Sequence, residues 1–154
     1  MAMTVTIRLL QPDQIHVLDC VAPDVFDYPL NRAWSAAFMA DPRHHIAVAC
    51  DDQRVVGMAS AVTYFHPDKP MQLWINEVGV SPRYQRQGIG RQLLQALFTL
   101  GRELGCQEAW VGTEADNIPA CRLYESVAGT AEDFVMYSFN LAKEQDRASS
   151  QNQI

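Results

Sequence analysis

The alternation of apolar and polar positions predicts a chain of short strands and helices. Apolar runs and period-two stretches bounded by turn residues predict strands at residues 7–10, 45–50, 55–65, 71–80, 108–113 and 134–141. Two early helices are predicted at residues 11–20 and 29–40, joined by an acidic loop over residues 23–27. With no internal repeat or linker, we expect one mixed α/β domain over residues 1–141 and a polar, flexible tail over residues 142–154.

The most regular helical pattern lies over residues 88–104. Its apolar positions recur every three or four residues and so share one buried stripe: Ile89, Leu93, Leu97, Leu100 and Leu104. Gly105 can end this helix. A later helix is predicted to begin at Asn117, whose side chain can cap it, with Pro119 in the first turn. Its inner face is predicted to hold four residues: Ala120, Leu123, Tyr124 and Val127.

Charge is distributed unevenly along the chain. The 154 residues carry a net charge of −6, with 48 % apolar and 19 % charged residues, which is typical of a globular protein and argues against nucleic-acid binding. Residues 81–105 hold four arginines and one glutamate, a net charge of +3, so the remaining residues carry −9. A basic segment in an acidic protein suits an anionic cofactor beside a cationic substrate, or simply an uneven solvated surface.

Cysteine and histidine usage points away from disulfides and metal ions. The four cysteines are scattered without a Cys-x-x-Cys pair, and His44, His45 and His66 lack a ligand spacing, so we expect reduced thiols and no metal. No apolar run is long enough to span a bilayer, and residues 1–10 lack the pattern of a secretion signal. We therefore expect a cytoplasmic protein that does not bind membranes.

Residues 85–90 read Gln-Arg-Gln-Gly-Ile-Gly and lie between a predicted strand and the strongest predicted helix. Gly88 and Gly90 would let backbone amides approach a ligand, and the helix dipole favours a negative group there. Three arginines add positive charge around this point: Arg83, Arg86 and Arg91. The Walker loop and the three-glycine dinucleotide fingerprint do not fit these residues. We interpret the loop as a pyrophosphate cradle, with glycine serving turn geometry alone as the alternative.

Two motifs resemble those of the GNAT superfamily of acetyl-CoA-dependent N-acetyltransferases. Residues 80–90, Val-Ser-Pro-x-x-Gln-x-x-Gly-x-Gly, are similar to its pyrophosphate motif. Residues 117–125, Asn-x-x-Ala-x-x-Leu-Tyr-Glu, are similar to its asparagine and leucine-tyrosine helix, and the usual Gly-Phe that follows appears as Gly129-Thr130. The resemblance spans about residues 73–129 and implies a mixed, mostly antiparallel central sheet flanked by helices, with acetyl-CoA as co-substrate.

Within that superfamily the chain is most similar to the small aminoglycoside 3-N-acetyltransferases. Residues 77–80, Glu-Val-Gly-Val, resemble their acidic residue before Leu-Ala-Val. Residues 114–120, Glu-Ala-Asp-Asn-x-Pro-Ala, resemble their Gln-Ala-Asp followed by Asp-Pro-Ala. Their aspartate is Glu77 here, and their arginine pair before the glycine loop is Gln85-Arg86. The resemblance implies direct transfer, in a ternary complex, to the 3-N position of an aminoglycoside.

Acetyl transfer from a thioester to an amine needs a base, an oxyanion donor and a proton for the departing thiolate. An alkyl ammonium has a pKa of about 10.4, so a base or a proton path is required at neutral pH. We predict that Glu77 is this base, directly or through water; a solvated strand glutamate is the alternative. The resemblance implies that the Val80 N–H polarises the carbonyl and that Tyr124 protonates the thiolate, while the spacing of Tyr124 alone fits core packing.

The remaining site predictions follow the same division into cofactor and acceptor. The predicted cofactor-binding residues are Val78, Gly79, Val80, Gln85, Arg86, Gln87, Gly88, Ile89, Gly90, Arg91, Asn117 and Tyr124. The predicted substrate-binding residues are acids suited to a small cationic amine: Asp24, Asp27, Glu77, Glu114 and Asp116. Each acid alone also fits a solvated side chain, and a homodimer is left open.

Two further functions compete with aminoglycoside acetylation. One is acetylation of a protein N-terminus, a lysine or a small polyamine. The other is a non-catalytic acyl-CoA-binding module, against which the paired presence of Glu77 and Tyr124 argues.

Overall fold

A computed structural model describes residues 4–142, which build one five-stranded sheet in the order β1-β2-β3-β4-β5. The strands are β1 (Val5–Leu9), β2 (His44–Asp51), β3 (Arg54–His66), β4 (Lys69–Val80) and β5 (Glu108–Trp110). Neighbouring strands are antiparallel except β4 and β5, which are parallel. The predicted fold class, a mixed and mostly antiparallel sheet flanked by helices, is confirmed.

Helix α2 provides most of the cover for one face of the sheet. The three helices are α1 (Arg32–Ala40), α2 (Ile89–Glu103) and α3 (Ile118–Ser126). Leu93, Leu94 and Leu97 of α2 are completely buried against the sheet, which confirms the centre of the predicted stripe. Gly57 of β3 permits this close packing, since a Cβ there would lie 3.2 Å from the Cγ2 atom of Ile89.

Two early elements differ from the prediction for local reasons. Residues 11–20 form a 3₁₀ helix, Pro12–Asp19, rather than an α-helix, and it is interrupted at Gln14, whose φ of −104° and ψ of 18° are not helical. Helix α1 begins at Arg32 rather than at residue 29. The Asn31 side chain caps it there by accepting a hydrogen bond of 3.0 Å from the Trp34 N–H.

The predicted strand at residues 134–141 is wrong for the described chain. These residues have no strand neighbour, and most of their large apolar side chains are exposed. A period-two pattern yields a strand only where another strand edge can take up its backbone hydrogen bonds. Strand β5 is also shorter than predicted, ending at Trp110. The predicted tail lies, apart from Ala142, outside the described residues.

The described residues were also searched for membrane-spanning helices, disulfides and metal-binding groups. Within residues 4–142 no helix is both long and apolar enough to cross a bilayer. The four cysteines are free thiols, and only Cys50 is fully buried. No group of three or more histidine, cysteine or acidic side chains in this part of the chain is arranged to hold a metal ion.

Candidate active site

The glycine loop has the backbone geometry of an anion site. Gly88 precedes α2 with a φ of +78°, and Arg86 also lies in the left-handed region at +61°. Gly88 offers no capping side chain, so the first-turn amides of α2 point outward without a side-chain partner. Together with the helix dipole, these amides favour a phosphate group.

Positive charge surrounds this helix start. Arg83, Arg86 and Arg91 are exposed, and none of them belongs to an ion pair among residues 4–142. No neighbouring carboxylate therefore neutralises their charge, which can act on an anionic ligand. The three arginines that flank the loop in the sequence are thus exposed and unpaired in the described part of the chain.

Gly90 has a packing role that the sequence analysis did not assign. A Cβ at Gly90 would lie 3.1 Å from the Cδ2 atom of Leu123, so its absence lets α2 lie close to α3. This differs from Gly88, where a Cβ would meet only the Gln92 side chain at 4.0 Å. The two glycines therefore serve different purposes: Gly88 provides backbone conformation and Gly90 provides helix contact.

Strand β4 has an open backbone edge beside the glycine loop. Its pairing with β5 ends at Trp74 and Trp110, yet β4 continues to Val80. The Ser81 N–H donates to the Val56 carbonyl of β3 at 2.9 Å. Because successive strand amides point to opposite edges, the N–H groups of Val78 and Val80 face the side that β5 has left. An extended ligand can pair with this edge as a further strand would.

The Gln85 side chain occupies part of this edge. Its Nε2 donates to the Val80 carbonyl at 2.9 Å, which connects the glycine loop to the end of β4. The contact holds the glycine loop next to the open strand edge. The predicted role of Gln85 in cofactor binding stays a prediction.

Glu77 lies half-buried on β4 beside the acidic loop. Its Oε1 accepts a hydrogen bond of 3.3 Å from the Asp27 N–H. Burial raises the pKa of the Glu77 carboxyl above its ordinary value, the Asp27 N–H opposes this, and the Asp27 charge raises the pKa further. A carboxylate with a raised pKa is a better proton acceptor than a solvated one.

The acidic loop reaches Glu77 by crossing directly over Gly79. A Cβ on Gly79 would lie 2.0 Å from the Val25 carbonyl oxygen, a distance that no side chain tolerates. Val25 itself is buried in the core and anchors the loop. Gly79 was predicted as a cofactor-binding residue; its lack of a side chain is required by the loop that places Asp27.

Helix α3 places the other predicted residues. The Asn117 Oδ1 accepts a hydrogen bond from the Ala120 N–H at 3.3 Å, so its capping role is confirmed. Tyr124 is half-buried, and burial raises the pKa of its phenol, with nearby Cys121 adding to the effect. Its hydroxyl has no hydrogen-bond partner among the described residues. The left-handed residue after α3 is Ala128, at a φ of +67°, and Gly129 follows it.

The predicted acids do not form one cluster. Asp24 and Asp27 share the loop next to Glu77, whereas Glu114 and Asp116 lie in the exposed segment between β5 and α3. No hydrogen bond joins this second pair to Glu77 within the described chain. Because β4 and β5 are parallel, the segment that holds Glu114 and Asp116 leaves β5 in the same direction in which β4 runs on to Glu77.

Two stacked tryptophans were not predicted from the sequence. Trp74 and Trp110 stack with ring centroids 4.7 Å apart, and the Trp110 Nε1 donates to the Tyr64 hydroxyl at 2.9 Å. On β3, Val62 faces Trp74 and Ser60 faces Glu77, so Trp74 and Glu77 share one side of the sheet. Their backbones are separated by about 7 Å along the strand.

Two surface cavities lie away from these residues. Their volumes are about 820 and 250 Å³, and Asp41 and Pro42 line both of them near the C-terminal end of α1. Neither is lined by Glu77, Tyr124 or the glycine loop. The loop amides, the open strand edge and the raised pKa of Glu77 point to the other end of β4 as the site.

An open strand edge next to an uncapped, arginine-flanked helix start is the geometry that a phosphate-bearing cofactor with an extended arm requires. The chain matches the model of the acetyltransferase (GNAT) family over residues 11–129. It therefore belongs to the GNAT family, and the family predicted from the two motifs is confirmed.

The sequence relatives act on different amines. The chain is 32 % identical over 89 residues to N-alpha-acetyltransferase RimI of Mycobacterium tuberculosis, covering 58 % of this chain and 54 % of that protein. It is 42 % identical over 50 residues to the ribosomal protein bS18-alanine N-acetyltransferase of Escherichia coli K12, covering 32 % and 34 %. An aminoalkylphosphonate N-acetyltransferase of Salmonella typhimurium is 31 % identical over 116 residues, covering 73 % and 74 %. The matches thus span about half or less of the first two relatives.

Solved structures with the same fold include aminoglycoside acetyltransferases. One from an uncultured soil metagenomic sample, in complex with sisomicin, superposes with a TM-score of 0.73 at 20 % identity, covering 90 % of this chain and 97 % of that one. The aminoglycoside N-acetyltransferase AAC(6')-Iy in complex with CoA superposes with a TM-score of 0.74 at 16 % identity, covering 92 % and 98 %. At these identities the likeness concerns the fold, and the 3-N specificity stays a prediction.

Replacing Gly79 with alanine is expected to displace the acidic loop. The added methyl group cannot coexist with the Val25 carbonyl, and relieving such overpacking costs about 1–3 kcal/mol. We expect a lower Tm and faster proteolysis within residues 21–28. Gly112→Ala is the matched control, because its Cβ would have only an ordinary contact of 3.4 Å. Equal Tm values for the two variants would contradict the crossing.

Arg86→Gly is expected to separate cofactor binding from folding. The substitution relieves a left-handed residue, so the Tm should not fall, but it removes a positive charge from the anion site. We expect the Kd for CoA to rise several-fold in calorimetry and less so at high salt. Arg102→Gln, at the far end of α2, is the control. An unchanged Kd for Arg86→Gly would rule out its contribution to phosphate binding.

Proposed function

We propose that this protein transfers an acetyl group from acetyl-CoA to a primary amine of a small cationic molecule, with aminoglycoside-like polyamines as the leading class. The observation that carries the proposal is the position of a half-buried, raised-pKa Glu77 just before the open edge of β4. This position supports Glu77 as the proton acceptor for an amine that attacks a thioester arm bound along the strand edge.

The proposed cofactor site suits two parts of acetyl-CoA, the charged pyrophosphate and the polar pantetheine arm. The first-turn amides of α2 and the three nearby arginines suit a pyrophosphate. The outward N–H groups of Val78 and Val80 suit the amide-bearing pantetheine arm, which can pair with a strand edge. The co-substrate supplies the thioester whose C–S bond breaks.

The proton steps assign distinct tasks to Glu77 and Tyr124. Glu77 takes a proton from the bound ammonium, directly or through water, which frees the nitrogen to form the new C–N bond. The Val80 N–H donates to the carbonyl oxygen as negative charge develops there, a contact worth about 3–4 kcal/mol in barrier height. The Tyr124 hydroxyl then donates its proton to the sulfur as the C–S bond breaks, and the second proton lost by the acylated nitrogen restores the phenol. A phenol is protonated at neutral pH, and burial raises the pKa of Tyr124 further in the same direction.

The charges near Glu77 favour a polycation over other amines. Asp24 and Asp27 lie in the loop that packs against Glu77, and Glu114 and Asp116 lie in the segment that follows β5, which runs parallel to β4. Several ammonium groups on one molecule can interact with these separate acids at once. An aminoalkylphosphonate would bring a negative charge to this acidic region, so it fits less well.

Acetylation of a protein N-terminus is the second candidate. Two relatives with 32 % and 42 % identity are named as Nα- or alanine N-acetyltransferases, which favours this alternative. A peptide N-terminus brings only one ammonium group, so it uses the acidic region less fully. The two candidates therefore predict different responses to salt.

A substrate panel at two salt concentrations tests the acceptor class. We expect thiol release from acetyl-CoA with a kanamycin-like amine, and its KM should rise with ionic strength, because exposed charges are screened within about 8 Å at physiological salt. An alanine-starting peptide and an aminoalkylphosphonate serve as comparison acceptors. Faster turnover with the peptide would favour Nα-acetylation as the function. If none of the amines is acetylated, the proposal that the protein is a catalyst is contradicted.

Glu77→Gln tests the base and has a separate consequence for stability. We expect kcat to fall about 10²–10⁴-fold and the limb of the pH–rate profile above the ordinary carboxyl range to disappear. Folding raises the pKa of Glu77, so its contribution to stability is present at low pH and is lost as pH rises through that pKa. The variant should therefore lose this pH dependence of Tm. Glu103→Gln is the exposed control, and a wild-type pH profile in Glu77→Gln would show that Glu77 is no base.

A further inference from the structure

The stacked tryptophans beside Glu77 have no part in the proposed proton steps, yet they are unusually exposed. Trp74 of β4 and Trp110 of β5 are 40 % and 41 % exposed, although tryptophan side chains are highly buried on average. The preceding residue on β4, Leu73, is buried against α2, where its Cδ2 atom would lie 3.2 Å from a Cβ on Gly101. Because neighbouring residues of a strand point to opposite faces, the tryptophans lie on the face of the sheet away from α2.

The two indole rings stand upright from the sheet, side by side. Their centroids are 4.7 Å apart and their planes differ by 11°. Neighbouring strands are about 4.7–4.9 Å apart, so two rings lying flat on adjacent strands would overlap. Each ring therefore rises from its own strand and covers one face of the other. The outer parts of both rings form an apolar surface, which we call the tryptophan stack.

A chain of hydrogen bonds holds the tryptophan stack in place. The Trp110 Nε1 donates to the Tyr64 hydroxyl at 2.9 Å, and that hydroxyl donates to the Gln72 Oε1. The Gln72 Nε2 donates in turn to the Glu108 Oε2 at 2.6 Å. The chain ends on a carboxylate, which only accepts. A surface fixed in this way loses little side-chain entropy when a ligand binds to it.

Two carboxylates bracket the tryptophan stack on the same face of the sheet. In the parallel pairing Gln72 faces Glu108 and Trp74 faces Trp110, so Glu108 lies on this face two residues before Trp110. Glu77 lies beyond the other end of the stack, also on this face. An apolar surface with a carboxylate at each end is complementary to a molecule with an apolar face and positive charges at its edges.

We infer that the tryptophan stack binds a saturated ring of the acceptor, with one ammonium group directed at Glu77 and another at Glu108. The inference rests on the proposed function, because it concerns the acceptor of the same acetyl transfer. The C–H bonds on one face of an amino sugar or aminocyclitol ring pack against indole by dispersion, and indole also attracts a nearby ammonium group. An open-chain polyamine loses more conformational freedom on the same surface, so the stack selects amines carried on rings.

Trp74→Leu tests the selection, since leucine keeps an apolar side chain but removes the aromatic face. We expect the KM for a kanamycin-like acceptor to rise about tenfold, with the KM values for acetyl-CoA and for a spermidine-like amine nearly unchanged. Trp74→Phe should restore most of the affinity. Phe65→Leu is the control, because Phe65 is 75 % exposed but lies outside the stack. An equal rise in KM for both amines would overturn the selection of rings.

Glu108→Gln tests the second ammonium position. The variant keeps an oxygen that can accept from Gln72, so the stack should stay in place, but it removes the charge. We expect the KM for the kanamycin-like acceptor to rise several-fold and to depend less on salt, with the KM for a cyclic monoamine unchanged. Glu103→Gln, on the far part of α2, is the control. The same KM in Glu108→Gln as in the unaltered protein would overturn the role of Glu108.

The indole N–H signals in an NMR spectrum test binding without acetyl transfer. The chain has three tryptophans, so three signals are expected: those of Trp34, Trp74 and Trp110, assigned with Trp→Phe variants. With CoA in place of acetyl-CoA, a kanamycin-like amine should shift the signals of Trp74 and Trp110, while Trp34, which is 77 % exposed on α1, serves as the internal reference.

The possible NMR outcomes separate this inference from the proposed function. Acetylation of the amine with unchanged Trp74 and Trp110 signals would overturn the tryptophan stack as its binding surface and leave the proposed function standing. Shifts of these two signals without any acetyl transfer would support the binding surface and contradict the proposed function. Equal shifts of all three signals would indicate unspecific stacking on exposed indoles and would overturn the inference.

Discussion

The arrangement of the site depends on one backbone constraint, the end of pairing between β4 and β5 at Trp74 and Trp110. A sheet normally satisfies both edges of an interior strand. Here β4 runs on to Val80 with β3 on one side only, so its other edge faces open space. The glycine loop follows immediately, and the Gln85 side chain bonds the Val80 carbonyl. The open strand edge, the glycine loop and the Glu77 carboxyl thereby lie along one continuous stretch of chain, residues 77–90.

Two local irregularities bring the acceptor side to this edge. The register between β3 and β4 shifts around Asn76, which places Glu77 on the same side of the sheet as Trp74. Gly79 lets the acidic loop cross the strand closely enough for the Asp27 N–H to reach Glu77. Burial under this loop is the main cause of the raised pKa of Glu77. The chemistry of the carboxyl is thus a consequence of how the loop packs.

Sequence periodicity predicted the elements whose signal is local and repeated. Leu93 and Leu97 occupy the buried stripe expected of α2, and Asn117 caps α3 as its residue type suggests. The register shift at Asn76 could not be predicted, since strict alternation would put Glu77 and Trp74 on opposite faces. The stacking of Trp74 on Trp110 depends on the pairing of β4 with β5, which the local alternation of residues does not report, and it was missed for that reason.

The apolar pattern of residues 134–141 shows a different limit of sequence analysis. An alternating pattern indicates that a segment can pair as a strand, but not which strand edge it pairs with.

The sequence likewise does not identify the acceptor, because relatives with comparable identity are named for N-alpha-acetylation and for aminoalkylphosphonate acetylation. The acids near Glu77 are the reason that we propose a polycationic acceptor, since family membership does not choose among these amines.

Amide chemical shifts measured during a titration with CoA test the proposed placement of the cofactor directly. We expect shifts concentrated on Val78, Val80 and the amides of residues 87–91, with little change around Asp41 and Pro42. Shifts confined to the two cavities near Asp41, with the amides of Val80 and the glycine loop unchanged, would contradict it.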